Sequence, residues 1–178
     1  MSNLSLGDNA IPFELPATDG AYYSLDNYGD KVAVAVIFSC NHCPYVLAWE
    51  DRIIKLQADY ADKGVQFIAI NANNAESHPV DSFDKMQDHA KEKQFNFPYL
   101  RDEDQTVASA YGAERTPEIF LFDADRTLRY HGAPDDNYEN PEGVTQPYFR
   151  DALEAVLAGT APAIAETAPK GCTIKWKA

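Results

Sequence analysis

The chain is 178 residues long, 45% of them hydrophobic, with a formal net charge of −13 and three cysteines. That length and composition fit one globular domain over residues 1–178, and an acidic balance without a basic patch excludes nucleic acid and disfavours anionic membrane surfaces as partners. No run approaches the roughly 18 apolar residues of a membrane span, and the start Met1-Ser2-Asn3-Leu4-Ser5-Leu6-Gly7-Asp8 has neither the basic stretch nor the apolar segment of a signal peptide, so a cytoplasmic location is expected.

Short β signals at Phe13–Leu15 and Tyr22–Leu25 flank the turn cluster Pro16-Ala17-Thr18-Asp19-Gly20, which predicts an N-terminal hairpin laid against a sheet. The apolar run Val32–Phe38 reads as a strand buried on both faces. Val46, Trp49, Ile53, Leu56 and Tyr60 then recur at helical spacing, predicting a helix from about Pro44 to Asp62 with Gly64 as its cap. Val65–Asn71 is a second buried strand, and strand, helix and strand make a right-handed parallel unit. Asn71, Asn73 and Asn74 fall at the same sheet end as the cysteines and read as turn formers.

Asp81 is expected to cap a helix reaching about Gln94, with Phe83, Met86 and Ala90 facing inward. A short helix from about Asp104 to Tyr111 ends at Gly112. His78 and His89 sit in polar surroundings and are expected at the surface. Arg115-Thr116-Pro117-Glu118 leads into a hairpin of Ile119–Phe122 and Leu128–His131. A proline entering an inner strand removes a ladder donor, and a cis Thr116–Pro117 bond at a turn accounts for it. A polar loop over 132–147 precedes a helix from Tyr148 to Ala158, and the tail from Thr160 is extended, with Thr173–Trp176 as an edge strand.

The chemistry concentrates at Phe38-Ser39-Cys40-Asn41-His42-Cys43-Pro44, where a buried strand meets a helix. Two cysteines at i and i+3 around a helix start reach each other and close a small disulfide loop. The unpaired amides and dipole of the helix start favour a thiolate, expected on Cys40, which makes Cys40 the nucleophile and Cys43 the resolving thiol. His42, between them, would stabilise the reduced thiolate and raise the reduction potential. Cys172, after Gly171, is either a small buried apolar side chain or a third redox thiol carried to the pair by the tail. Trp49 is expected to pack, Tyr45 to shape the surface beside Cys40, and Tyr138 with Asp135-Asp136 to face a partner.

The order hairpin, strand, Cys-x-x-Cys helix, strand, helix, Thr-Pro, hairpin, helix resembles the thioredoxin fold, in its redoxin branch (alkyl hydroperoxide reductase/thiol-specific antioxidant-like). The entry Gly7-Asp8-Asn9-Ala10-Ile11-Pro12-Phe13 is similar to that branch's, and the likeness covers about residues 4–158, leaving 159–178 as an extension. It implies an α/β protein with a central mixed sheet flanked by helices. It implies a thiol–disulfide oxidoreductase, with antioxidant activity as a variant, that needs no cofactor and no metal and acts on protein or small-molecule disulfides and thiols. By the same resemblance Thr116 offers backbone hydrogen bonds to an extended substrate and Pro117 packs on the cysteine pair. Two departures stand out. Val34 occupies the place of thioredoxin's buried acid, and Val46 the place of the glutamate of extracytoplasmic reductases, so no carboxylate is evident for proton transfer at Cys43; Glu50 lies two turns up the helix.

Two other readings fit part of the pattern. Cys43-Pro44 matches half of a peroxiredoxin motif, which would make Cys43 peroxidatic, Cys40 the resolving thiol, Arg115 a candidate anion binder and hydroperoxides the substrate. Alternatively, Cys40, His42, Cys43 and Cys172 offer thiolate and imidazole ligands suited to zinc or cuprous copper.

Overall fold

The computed structural model describes residues 2–178. In chain order its elements are β1 (Glu14–Pro16), β2 (Tyr22–Ser24), β3 (Ala33–Phe38), α1 (Pro44–Tyr60), β4 (Val65–Asn71), α2 (Phe83–Lys93), β5 (Tyr99–Arg101), α3 (Thr106–Tyr111), β6 (Arg115–Thr116), β7 (Glu118–Asp123), β8 (Leu128–Gly132), α4 (Tyr148–Leu157) and β9 (Cys172–Thr173). Among the described residues the main sheet has five strands in the order β5-β4-β3-β7-β8. β3 is parallel to β4 and antiparallel to β7, so the sheet is mixed.

The alternation of side chains along β3 splits the core into two layers. Val34, Val36 and Phe38 face a layer with Tyr111, Phe120 and Phe122, packed edge to face. Ala33, Ala35 and Ile37 face the other layer, under Trp49, Ile53 and Tyr60 of α1 and Phe149 and Leu153 of α4. Every residue of β3 is buried, as a wholly apolar strand between two helical layers must be. The Redoxin-like expectation of a central mixed sheet flanked by helices, with an N-terminal hairpin and a C-terminal extension, describes this architecture.

Several details differ from the sequence reading. β5 was not anticipated: it is three residues long and ends on Arg101, which masks its apolar signal. Helix α2 is capped by Ser82, whose Oγ accepts from the Lys85 amide, and Asp81 is diverted elsewhere. The tail strand covers Cys172–Thr173 instead of Thr173–Trp176, and pairs antiparallel with β6. The loop over 132–147 folds inward at Asp135, which is buried and accepts from Trp49 Nε1 at 2.9 Å and Arg52 Nη1 at 2.8 Å. Asp135 is therefore spent inside the molecule and does not face a partner. Among the described residues no helix is long and apolar enough to cross a membrane.

Candidate active site

β3 delivers Cys40 to the carboxyl edge of the sheet, where the Ser39 amide still donates to Ile70 O at 2.8 Å before the chain leaves the ladder. Cys43 is the N-cap of α1, with extended φ −68° and ψ 126°, and Pro44 follows where its missing N–H leaves no bond unmade. Cys40 and Cys43 are both buried and cluster with Val46, with Tyr45 and Cys172 packed against them. The Thr116–Pro117 bond is cis. Thr116 spans both sulfurs: its Oγ1 lies 3.5 Å from Cys40 Sγ and its carbonyl oxygen 3.4 Å from Cys43 Sγ. Glu118, buried at the start of β7, holds this loop in shape. Its Oε1 accepts from the amides of Glu114 and Arg115, both at 3.0 Å, and its Oε2 lies 2.8 Å from His131 Nε2.

The unpaired amides of the helix start were expected to favour a thiolate on Cys40. Cys43, and not Cys40, stands at the N-cap. Hydrogen bonding from the Cys40 thiol, then from the Cys172 thiol and the amides of Val46 and Cys172, outweighs burial and lowers the Cys43 pKa to about 4. The Thr116 carbonyl favours the protonated thiol, but a single acceptor is outnumbered by these donors. Cys40 moves the opposite way: donating to Cys43 raises its pKa, burial adds to this, and the nearby Asp81 charge contributes, against hydrogen bonds from Thr116 and the His42 amide. The pair thus shares one proton, held on Cys40. Cys172 is pushed up to about 11 by burial and by its hydrogen bond to Cys43.

Asp81, which the sequence reading used as a helix cap, is the carboxylate of this site. It is fully buried, accepting from the Asn41 amide at 2.7 Å, Asn71 Nδ2 at 3.1 Å and Asn73 Nδ2 at 2.9 Å. Tyr99 OH closes the network by donating to Asn41 Oδ1 at 2.7 Å. Asn71 and Asn73 are therefore buried donors that hold the Cys40–Cys43 loop, not mere turn formers. The signal was present in the sequence: Asp81 and Ser82 are adjacent residues of capping type where α2 needs only one.

His42 Nδ1 lies 2.6 Å from Asp81 Oδ2 without a linear hydrogen bond, and its ring stacks on His78 at 5.8 Å. His78 is half-buried against that ring, and His89 is half-buried with Nε2 at 2.6 Å from the buried Glu50, so neither is the free surface histidine expected. Glu50 gives its Oε2 to this pair, and its Oε1 is buried without a hydrogen-bond partner.

As for metal, Cys40, His42 and Asp81 bring one ligand atom each within 4.8 Å of one another, a set in which Asp81 replaces the Cys43 and Cys172 of the sequence reading. The Asp81 oxygens accept from three donors, whereas His42 Nδ1 is buried without a hydrogen-bond partner.

The Redoxin family model matches residues 5–146. No curated protein matches the chain. Among solved structures, an uncharacterized conserved protein from Geobacillus kaustophilus is 41% identical, with a TM-score of 0.92 over 99% of this chain and 95% of that one. Hypothetical protein SMc02350 from Sinorhizobium meliloti 1021 is 38% identical, with a TM-score of 0.93 over 99% and 98%. Peroxidoxin BcpB from Mycobacterium tuberculosis, at 21% identity and a TM-score of 0.61 over 88% and 96%, shares the thioredoxin-like fold.

Proposed function

We propose, on the premise that the chain belongs to the Redoxin family, that it is a thiol–disulfide oxidoreductase in which Cys40 and Cys43 alternate between dithiol and disulfide. One observation carries the reading: Cys43 stands at the helix N-cap with Cys40 and Cys172 packed beside it, and Thr116, entering a cis bond to Pro117, contacts the sulfurs of both Cys40 and Cys43. The thiolate is the attacking species in exchange, so Cys43 is the nucleophile here and Cys40 the resolving thiol, reversing the roles read from the sequence.

Cys43 sulfur displaces one sulfur of a substrate disulfide, which leaves as a thiolate and takes the Cys40 proton. Cys40 sulfur then attacks Cys43 sulfur, the second substrate sulfur leaves, and the Cys40–Cys43 bond closes. Two electrons pass from the pair to the substrate, and the reverse sequence oxidises a dithiol. Asp81 fixes the loop that carries Cys40, and His42, 28% exposed at its rim, links that carboxylate to solvent and tunes the potential. The Thr116 main chain receives the substrate strand and Pro117 packs against the pair. Partners are polypeptides or small molecules carrying disulfides or thiols.

A second reading, hydroperoxide reduction by Cys43, is favoured by the low pKa and by Pro44 directly after it. Against it, Arg115 turns its Nη1 to Gly171 O at 3.3 Å, and Arg101 spends its Nη2 on Asn73 O at 2.7 Å. Side-by-side rates of the reduced protein with a protein disulfide and with a hydroperoxide decide between them. Brisk disulfide turnover that falls at least about a hundredfold in Cys40→Ser, beside slow peroxide consumption, is the expected result. Fast peroxide consumption that survives Cys40→Ser would give the site to the peroxidase reading.

A further inference from the structure

Residues 171–177 run past the cysteine pair as an extended strand, with Cys172 packed against the pair. Thr116 pairs with Cys172 and Arg115 with Thr173 in an antiparallel ladder. The Ile174 amide donates to Glu114 O at 3.0 Å. Beyond the ladder, side-chain amides take over. Lys175 N–H donates to Asn73 Oδ1 at 2.9 Å, and Lys175 O accepts from Gln105 Nε2 at 2.9 Å and the Asn74 amide at 2.7 Å. Lys177 N–H donates to Gln105 Oε1 at 2.9 Å. Gln105 is buried and spends both ends of its amide on this segment.

These contacts hold main chain, so they fix an extended strand without reading its sequence. Three positions do read it. A Cβ on Gly171 would lie 1.9 Å from Thr116 O, so only glycine fits there. Cys172 turns its sulfur to Cys43. Ile174 is buried in the same core layer as Phe38 and Tyr111. Thr173, Trp176 and Lys177 are exposed.

We propose that the tail is the resident occupant of the groove lined by Asn73, Gln105 and residues 114–116, so that a substrate strand binds by displacing it, and that the groove selects the pattern Gly-Cys-x-aliphatic. The inference rests on the oxidoreductase reading and names its substrate class. Strand addition of this kind takes affinity from main-chain bonds and specificity from the few side chains that meet pockets. The occupant is tethered, so a substrate must compete with a local concentration on the order of millimolar. A ladder only two residues long suits an occupant that is displaced and returns.

The test uses the full-length reduced protein and the peptide acetyl-Gly-Ser-Thr-Ile-Lys-Trp-Lys, whose serine removes any redox reaction. Cys172 labelling by a maleimide is followed by mass spectrometry as peptide is added. A severalfold, saturable rise in labelling, absent with a peptide whose glycine is replaced by valine or whose isoleucine is replaced by aspartate, is expected. Labelling that ignores the peptide, or responds equally to all three, overturns the proposal.

Gly171→Val in the full chain gives the second reading. It should free Cys172 for labelling and lower KM severalfold for a glutathionylated peptide of the same pattern. Unchanged labelling and KM would also overturn the proposal. Should the wild type exchange no disulfide at all, the oxidoreductase reading fails while the labelling experiment still reports groove occupancy. Should exchange persist with labelling unmoved, only the groove proposal fails.

Discussion

With its pKa lowered to about 4, the Cys43 thiolate is present above that pH and lost as the pH falls through it. The exchange rate should therefore be nearly flat between about pH 5 and about pH 8, where an ordinary thiol would gain close to tenfold per unit. A stopped-flow pH profile checks this, and a steady climb across that range would contradict it. The same shift bears on folding of the reduced form. The Cys43 contribution is fully present above 9.0, the ordinary value, and is lost as the pH falls toward about 4. Cys40, shifted upward, opposes it in alkaline solution. Beside this pair, the buried Asp81 charge disfavours a thiolate on Cys40. With the proton held on Cys40 in the reduced pair, Asp81→Asn removes that charge without changing which thiol is ionised, so the reduction potential should stay close to the wild-type value. Equilibration against glutathione reads it, and a shift to a less negative value would show that the Asp81 charge acts on the ionised thiol as well as on the loop. The substitution also replaces an acceptor of three donors with a group that is half donor, so a stability loss of about 1–3 kcal/mol accompanies it.

At the scale of elements, the short strand β6 matters most for its position, and Glu118 sets that position from the first residue of β7. Glu118→Ala removes the acceptor of the Glu114 and Arg115 amides and the partner of His131. A loss of about 2–3 kcal/mol is expected in urea unfolding, because buried donors lose their bonds without regaining water. The effect should be local as well. The Ile174 amide, bonded to Glu114 O, should exchange its hydrogen much faster than in the wild type, while amides of β3 keep their protection relative to global stability. Equal acceleration in β3 and at Ile174 would mean that Glu118 supports the whole sheet instead of this loop. Within the core, Phe38 packs edge to face on Tyr111 and Phe120, so Phe38→Ala should cost about 3–5 kcal/mol by the same urea measurement. A cost below about 1 kcal/mol would contradict the packing described.

Across the whole molecule, what the sequence made legible was what repeats. Apolar runs and helical spacing located β3, β4, β7, α1 and α4, and the cysteine spacing located the site. What stayed hidden depends on contacts between distant segments, which leave no period. β5 is too short to carry one. Asp81 reaches the cysteine loop across a bend at 79–81 that reads as a helix entry. The pKa order of the two thiols turned on which sulfur receives the hydrogen bonds of the other cysteines, which their spacing does not show. The tail reads as polar and extended until its main-chain partners, Asn73, Gln105 and residues 114–116, are seen around it. The central claim remains that the thiolate on Cys43 attacks and Cys40 resolves. Mixed-disulfide trapping tests it most directly: Cys40→Ser and Cys43→Ser, each reduced and mixed with a cysteine-containing polypeptide in its disulfide form, are compared for stable adducts by mass. The account predicts an adduct through Cys43 in Cys40→Ser and none in Cys43→Ser. An adduct through Cys40 in Cys43→Ser, with none in the other variant, would contradict it and return the attacking role to Cys40.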